Sequence, residues 1–251
     1  MFDAVKVKND CVQWIRDWFE ENGPGCNAVI GISGGKDSSV AAALCVEALG
    51  KDRVIGVMMP NGIQNDIGDS YAVGNFLEIK YYTIDIFPMM EDFCASLVRQ
   101  NIIPRTQAET NLPPRVRMAT LYAVSQSMNG RVVCTDNLSE SYVGYSTRWG
   151  DNVGDFSPLA NLTTEEVVAI GDACGLPYEL THKTPSDGLC GKTDEDNLGF
   201  TYEVLNKYIL TGECEDEDVK AKIDEKHQKN LFKLQPIPTF VPSRGGIENE
   251  C

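Results

Sequence analysis

What the chain lacks narrows it first. Its 251 residues include only two histidines and three tryptophans, and 22 basic residues stand against 37 acidic ones. The net charge of −15 argues against a long nucleic-acid footprint, which needs clustered Lys and Arg. It leaves room for a small anion held by a few local cations. No apolar run approaches the ~18 residues of a transmembrane helix, so no membrane span is expected. The opening MFDAVKVKNDC has no apolar segment of a secretory signal. No C-x-x-C pair occurs. The nine cysteines, an odd number, lie partly in apolar stretches such as AALCVEAL and RVVCTD, where a thiol packs as a small hydrophobe. A cytoplasmic location is expected.

What is present is an alternation. The apolar runs Asn27–Ile32, Arg53–Met59, Ile79–Ile86 and Arg131–Thr135 read as strands. Helical patterns at 37–49, 66–77, 89–101 and 112–128 lie between them. This order predicts an α/β fold, a doubly wound and mostly parallel sheet with helices on both faces, contained in a single domain over 1–251. Right-handed crossovers then gather the strand C-termini along one edge, where ligands of such sheets bind. The remainder is mostly helical. Thr163-Thr164-Glu165-Glu166 has capping-box spacing, and Thr193 with Asp196 opens another helix towards Leu210. The acids of 213–218 suit the first turn of an exposed helix.

The informative stretch is Gly31-Ile32-Ser33-Gly34-Gly35-Lys36-Asp37-Ser38, between the first strand and its helix. Glycines let the backbone approach a ligand, and the amides of a helix N-terminus favour an anion such as phosphate. It is not a Walker loop, because Asp37 follows Gly35-Lys36 and Ile30 replaces the first glycine. Gly31-Ile32-Ser33-Gly34-Gly35 does satisfy the G-x-S-x-G of a hydrolase elbow. That chemistry needs a downstream acid and then a histidine, and His182 and His227 sit in contexts (LTHKTPS, DEKHQKN) that read as loop and charged helix. Asp37 beside a polyphosphate would repel it unless a divalent cation lay between them, and Mg²⁺ commonly takes one or two carboxylates plus phosphate oxygens. An ordinary helix-start aspartate would occupy the same position.

Ser33-Gly34-Gly35-Lys36-Asp37-Ser38 resembles the S-G-G-x-D-S signature of the ATP-pyrophosphatase superfamily, and further segments resemble its NAD synthetase branch over nearly the whole chain. They are Pro60-Asn61-Gly62-Ile63-Gln64-Asn65-Asp66, Asn111 to Met118 with Leu121-Tyr122, Thr135 to Glu140, Gly150 to Asp155 with Pro158-Leu159, Lys183 to Ser186, and Thr193 to Gly199. Pro114 stands where the family usually has Ala, a residue acceptable in a first helical turn.

The resemblance implies a Rossmann-like fold of the adenine nucleotide alpha hydrolase type. It implies that ATP adenylates the nicotinate carboxylate of deamido-NAD, and that ammonia displaces AMP to give NAD. By the same resemblance Gly31, Ile32, Ser33, Gly34, Gly35, Lys36, Asp37 and Ser38 would hold ATP, with Thr135, Thr164 and Ser186. Thr164 takes a place where many members carry Lys. Arg115, Arg148, Asp155 and Lys233 would hold deamido-NAD, Arg148 in place of the usual Lys and Phe232-Lys233 in place of His-Lys. Asp37 and Glu140 would bind Mg²⁺. Ammonia, free or delivered by a separate protein, is the expected nitrogen source because the chain has no room for a glutaminase domain, and a homodimer is expected. Another ATP-pyrophosphatase, whether an adenylating amidotransferase or a tRNA-thiolating enzyme, and a nucleotide-binding module without chemistry are the rivals.

Overall fold

A computed structural model describes residues 2–183 and 193–242. It begins with a helix that apolar runs alone do not announce, α1 (Ala4–Asn22). Val12, Ile15 and Phe19 are buried at spacings of three and four, one stripe of an amphipathic helix. Asp3 caps it, accepting the Lys6 backbone N–H at 3.0 Å. Then come β1 (Asn27–Gly31), α2 (Lys36–Leu49), β2 (Val54–Met58), α3 (Ile67–Phe76), β3 (Lys80–Thr83), α4 (Phe87–Arg99), α5 (Thr106–Ser127) and β4 (Gly130–Val132). The remaining helices are α6 (Leu138–Val143), α7 (Thr164–Ala173), α8 (Tyr178–Thr181), α9 (Asp194–Leu198), α10 (Tyr202–Thr211) and α11 (Glu217–Leu234).

The four strands are parallel in the order β3-β2-β1-β4, with Val29 opposite both Ile55 and Val132. Side chains alternate across such a sheet, and the core divides accordingly. Ala28, Ile30, Val54 and Met58 pack with α1, α2 and α7 on one face. Val29, Ile55, Val57 and Val132 pack with Met118 and Leu121 of α5 on the other. The doubly wound α/β expectation holds. A separate apolar cluster, built on Leu205 and Ile223, joins α6, α9, α10 and α11.

Several boundaries move from their expected places. The third and fourth strands are shorter than their apolar runs. α5 starts at Thr106 rather than near 112, so Pro113 and Pro114 lie inside the helix instead of in its first turn. Both rings remove a helical N–H, yet Pro114 is accommodated against bare backbone: a Cβ on Gly150 would meet Pro114 Cβ at 2.8 Å. The helix expected from Thr193 towards Leu210 is two helices, broken at Gly199 with φ +80°. The capping boxes at Thr163/Glu166 and Thr193/Asp196 both form.

Candidate active site

Strand order reverses at β1, with β2 and β3 on one side and β4 on the other. The loops leaving β1 and β4 therefore part at the C-terminal edge, which is where open α/β sheets bind ligands. A cleft of about 360 Å³ opens there.

The loop after β1 forms its floor. Gly34 has φ +81°, and a Cβ on it would lie 2.7 Å from both Asp69 Cβ and the Ser70 amide, so the loop presses directly on α3. Gly35 is the N-cap of α2 and offers no side-chain cap, which leaves first-turn amides available to a ligand. Ser38 turns inward. Its Oγ accepts the Ser33 amide at 3.2 Å and donates to the Gly35 carbonyl at 3.2 Å. The Ser33 Oγ accepts the Gly35 amide at 3.2 Å. Gly31, Ile32, Ser33, Gly35, Lys36 and Asp37 line the cleft, while Gly34 and Ser38 shape the loop from behind.

Across the cleft, Asn137 caps α6 and directs Glu140 inward; its side-chain amide also donates to Asp37 Oδ1 at 3.0 Å. Lys36 Nζ lies 2.8 Å from Asp37 Oδ2 and 3.8 Å from Glu140 Oε1. Burial and the Asp37 charge push the Glu140 carboxyl well above the usual range, against the pull of Lys36. Asp136, buried behind them, is raised to about 7, chiefly by burial, with Asp151 and Asp37 adding to the shift. Burial opposes the Lys36 charge, but Asp37, Glu140 and Asp194 outweigh it and its pKa rises.

Asp37 and Glu140 offer only oxygen donors to the cleft, the chemistry of a hard divalent cation. Among the described residues no three His, Cys, Asp or Glu side chains are grouped to hold an ion by themselves. The donors thus fit a Mg²⁺ that shares its coordination with ligand oxygens rather than a protein-only cage.

The other anticipated residues are dispersed. Thr135 lines the cleft. Thr164 does not; it is buried in the first turn of α7, where its amide donates to Ser139 Oγ at 3.0 Å. That same Ser139 hydroxyl donates to Asn206 Oδ1 of α10 at 2.6 Å. Ser186 lies outside the described residues. Arg115 borders an apolar groove between α4 and α5, its Nε donating to the Arg148 carbonyl at 3.3 Å. Arg148 stacks on Trp149 and Phe232 and donates to the Gln235 carbonyl at 3.2 Å. Asp155 accepts the Val132 amide at 2.7 Å and the Tyr122 hydroxyl at 3.3 Å, closing the edge of β4. Lys233 donates to the carbonyls of Gly144 and Ser146 at 2.7 and 2.9 Å.

The cleft also contains side chains from the matched segments to which the sequence assigns no individual role: Arg117, Gln64, Asp66, Asp151, Lys183 and Asp194. Arg117 had a readable signal. Residues 114, 117, 118 and 121 recur at one helical face, and all four line the cleft, whereas 115 points elsewhere. Arg117 Nε donates to the Met59 carbonyl at 3.0 Å, and burial lowers its pKa. Lys183 pairs with Asp69 at 2.6 Å and Asp66 at 3.3 Å.

Together these features define a doubly wound α/β protein with an anion-suited glycine loop and a carboxylate pair at the switch point of its sheet. The model of the NAD synthase family matches residues 7–238, and the chain belongs to that family. It is 40% identical over 229 residues to the NH(3)-dependent NAD(+) synthetase of Thermococcus kodakarensis, covering 91% of this chain and 88% of the relative. Among solved structures, NMN synthetase from Francisella tularensis aligns with a TM-score of 0.87 at 33% identity, over 95% of this chain and 99% of that one. The NH3-dependent NAD synthetase of Campylobacter jejuni aligns with a TM-score of 0.77 at 27% identity, over 96% and 100%. Among the described residues no helix is long and apolar enough to cross a membrane.

Proposed function

We propose that this protein amidates deamido-NAD with ammonia at the expense of ATP. A nicotinate carboxylate oxygen attacks the α-phosphorus and pyrophosphate leaves. Ammonia then adds to the acyl carbon, AMP departs with the C–O bond electrons, and a proton is lost to give the amide. A carboxylate alone is a poor acceptor of ammonia; an acyl phosphate anhydride is a good one.

The observation that carries this reading is the pairing of the Ser33–Ser38 turn at the start of α2 with Asp37 and Glu140 across the same cleft. The first-turn amides of α2, which no side chain caps, would face developing phosphate charge, and fixed donors of this kind need no reorganisation during reaction. Mg²⁺ held by Asp37 and Glu140 would neutralise triphosphate charge. Thr135 would orient the nucleotide from the β4 side, and Ser186 would be a further ATP contact; Thr164, buried behind the cleft wall, would reach ATP only if the first turn of α7 moved. Arg115, Arg148, Asp155 and Lys233 would serve the dinucleotide, exchanging their present partners for its phosphates and ribose.

We also propose that residues 1–251 form a single synthetase domain, and a cytoplasmic setting, supported by the free thiols of all seven cysteines within the described residues. A homodimer through α4 and α5 is supported by exposed Phe87, Met89, Phe93 and Val98 beside an apolar groove lined by Tyr82, Ile84 and Val116. Equilibrium sedimentation should give twice the monomer mass; monomer alone at micromolar concentration would refute it.

A second reading, amidation of nicotinate mononucleotide, is favoured by the likeness to a solved NMN synthetase. One experiment addresses both readings. The protein is incubated with ATP, Mg²⁺, ammonium and either deamido-NAD or nicotinate mononucleotide, and the products are weighed by mass spectrometry. NAD with AMP supports the first reading, and nicotinamide mononucleotide with AMP alone supports the second. ADP, or an unchanged acceptor in both arms, overturns the amidation itself.

A further inference from the structure

The most unusual charge in the cleft is Lys36. Its side chain is only 5% exposed, although a buried ammonium is costly without partners. Four elements face it: Asp37 on its own helix, Glu140 on α6, Asp194 on α9, and the ring of Tyr202 on α10, whose centroid is 5.9 Å from Nζ. The ammonium bridges the two carboxylates that would hold a metal, at 2.8 Å from Asp37 and 3.8 Å from Glu140. Asn137 engages the other Asp37 oxygen at 3.0 Å, so neither oxygen of Asp37 lacks a protein donor.

We propose that Lys36 is the resident cation of the Asp37–Glu140 pair, and that it keeps a divalent ion from settling there before nucleotide arrives. The proposal rests on the reading of Asp37 and Glu140 as metal ligands. The physical argument concerns charge and coordination. With the ammonium in place the pair presents one net negative charge rather than two, and an incoming ion must displace a short ion pair to reach Asp37. Mg²⁺ gives up its water reluctantly and gains little from such a site alone. Triphosphate changes the balance by bringing its own oxygen ligands and a second set of negative charges for the ammonium to contact. Metal and nucleotide then enter together, and the cleft does not fill with an unproductive ion.

The test is direct binding of Mn²⁺ to nucleotide-free protein, read by loss of the free-ion electron paramagnetic resonance signal. Lys36→Met keeps the length and apolar stem of the side chain and removes the charge. Removing a unit charge about 4 Å from an ion is a strong effect in a partly buried site, so this variant should bind one Mn²⁺ at least about tenfold more tightly than the natural protein. Glu140→Gln added to Lys36→Met should abolish the gain, and Lys36→Arg should show none. Lys36→Gln provides a second charge-free variant, with circular dichroism confirming that each variant folds. Equal Mn²⁺ affinity in the natural protein and the folded charge-free variants would overturn the proposal, as would a gain that survives Glu140→Gln. Because ion binding is measured without turnover, its failure leaves the amidation reading standing. Absence of AMP and amide products would remove that reading without altering the ion-binding result.

Discussion

The two halves of the proposed site are built differently. On the nucleotide side, backbone does the work: a turn pinned by Ser33 and Ser38, a glycine pressed on α3, and Asp37 held by Asn137. On the dinucleotide side, the anticipated residues are long side chains already committed within the fold. Arg115 and Arg148 donate to carbonyls, as does Lys233, and Asp155 seals a strand edge. The difference teaches that the first half is organised before ligand arrives. On the proposed reading the second would exchange internal hydrogen bonds for external ones, at similar strength, and so would contribute selection more than rate.

Substitutions test that contrast, the largest expected effect first. Asp37→Asn should lower amide formation by about 10³-fold, as losses of a charge-stabilising group in a closed site do, while nucleotide affinity changes far less. A comparable loss of affinity, measured by calorimetry, would show that Asp37 only shapes the pocket. Gly34→Ala forces a Cβ into α3 at positive φ and should cost about 2 kcal/mol of stability, with activity falling further than global unfolding explains. Urea denaturation alongside steady-state kinetics separates the two. Arg148→Ala should raise the KM for the dinucleotide about tenfold and leave that for ATP unchanged, the scale of one charged hydrogen bond. Equal shifts in both constants would erase the division into halves.

The last test leaves activity aside and concerns the cost of the organised half. Asp136 titrates near 7 in the fold, against about 4 in an unfolded chain. Between those values the native state keeps a proton that the unfolded state has released, so stability falls as pH rises through this window and the loss is complete above 7. Asp136→Asn removes the dependence. The rise from about 4 to about 7 amounts to about 4 kcal/mol, so the variant's Tm should exceed that of the natural protein by roughly 8 °C at pH 8, and the gap should close towards pH 4. A gap that does not vary with pH would point to packing instead.

How much of this was legible follows the same divide. The strands, the doubly wound order and the glycine loop could be read because local chemistry fixes them: apolar runs, a turn that needs glycine, and capping boxes that form where their spacing predicts. Thr135 reaches the cleft from the loop that leaves β4, and Glu140 from the first turn of the capped helix α6 just beyond it. Arg115 illustrates the limit. The R-x-R pattern names two arginines two positions apart, which a helix sends to opposite sides, and only the face shared with Pro114, Met118 and Leu121 distinguishes them. The early start of α5 was hidden by Pro113 and Pro114, whose local signal is overruled by the space beside Gly150. Asp194 and Lys183 come from segments remote in sequence, and tertiary packing alone brings them to the wall.

Ser139 has a consequence of its own. One hydroxyl takes the amide that opens α7 and gives its proton to a side chain of α10, and the next residue along the chain is Glu140. Three helices thus share a single knot adjoining the Glu140 carboxylate. A change made well away from the cleft, in the spacing of either outer helix, would be felt there as a shift in where that carboxylate sits, and replacements remote from any ligand could retune the enzyme without touching what it binds.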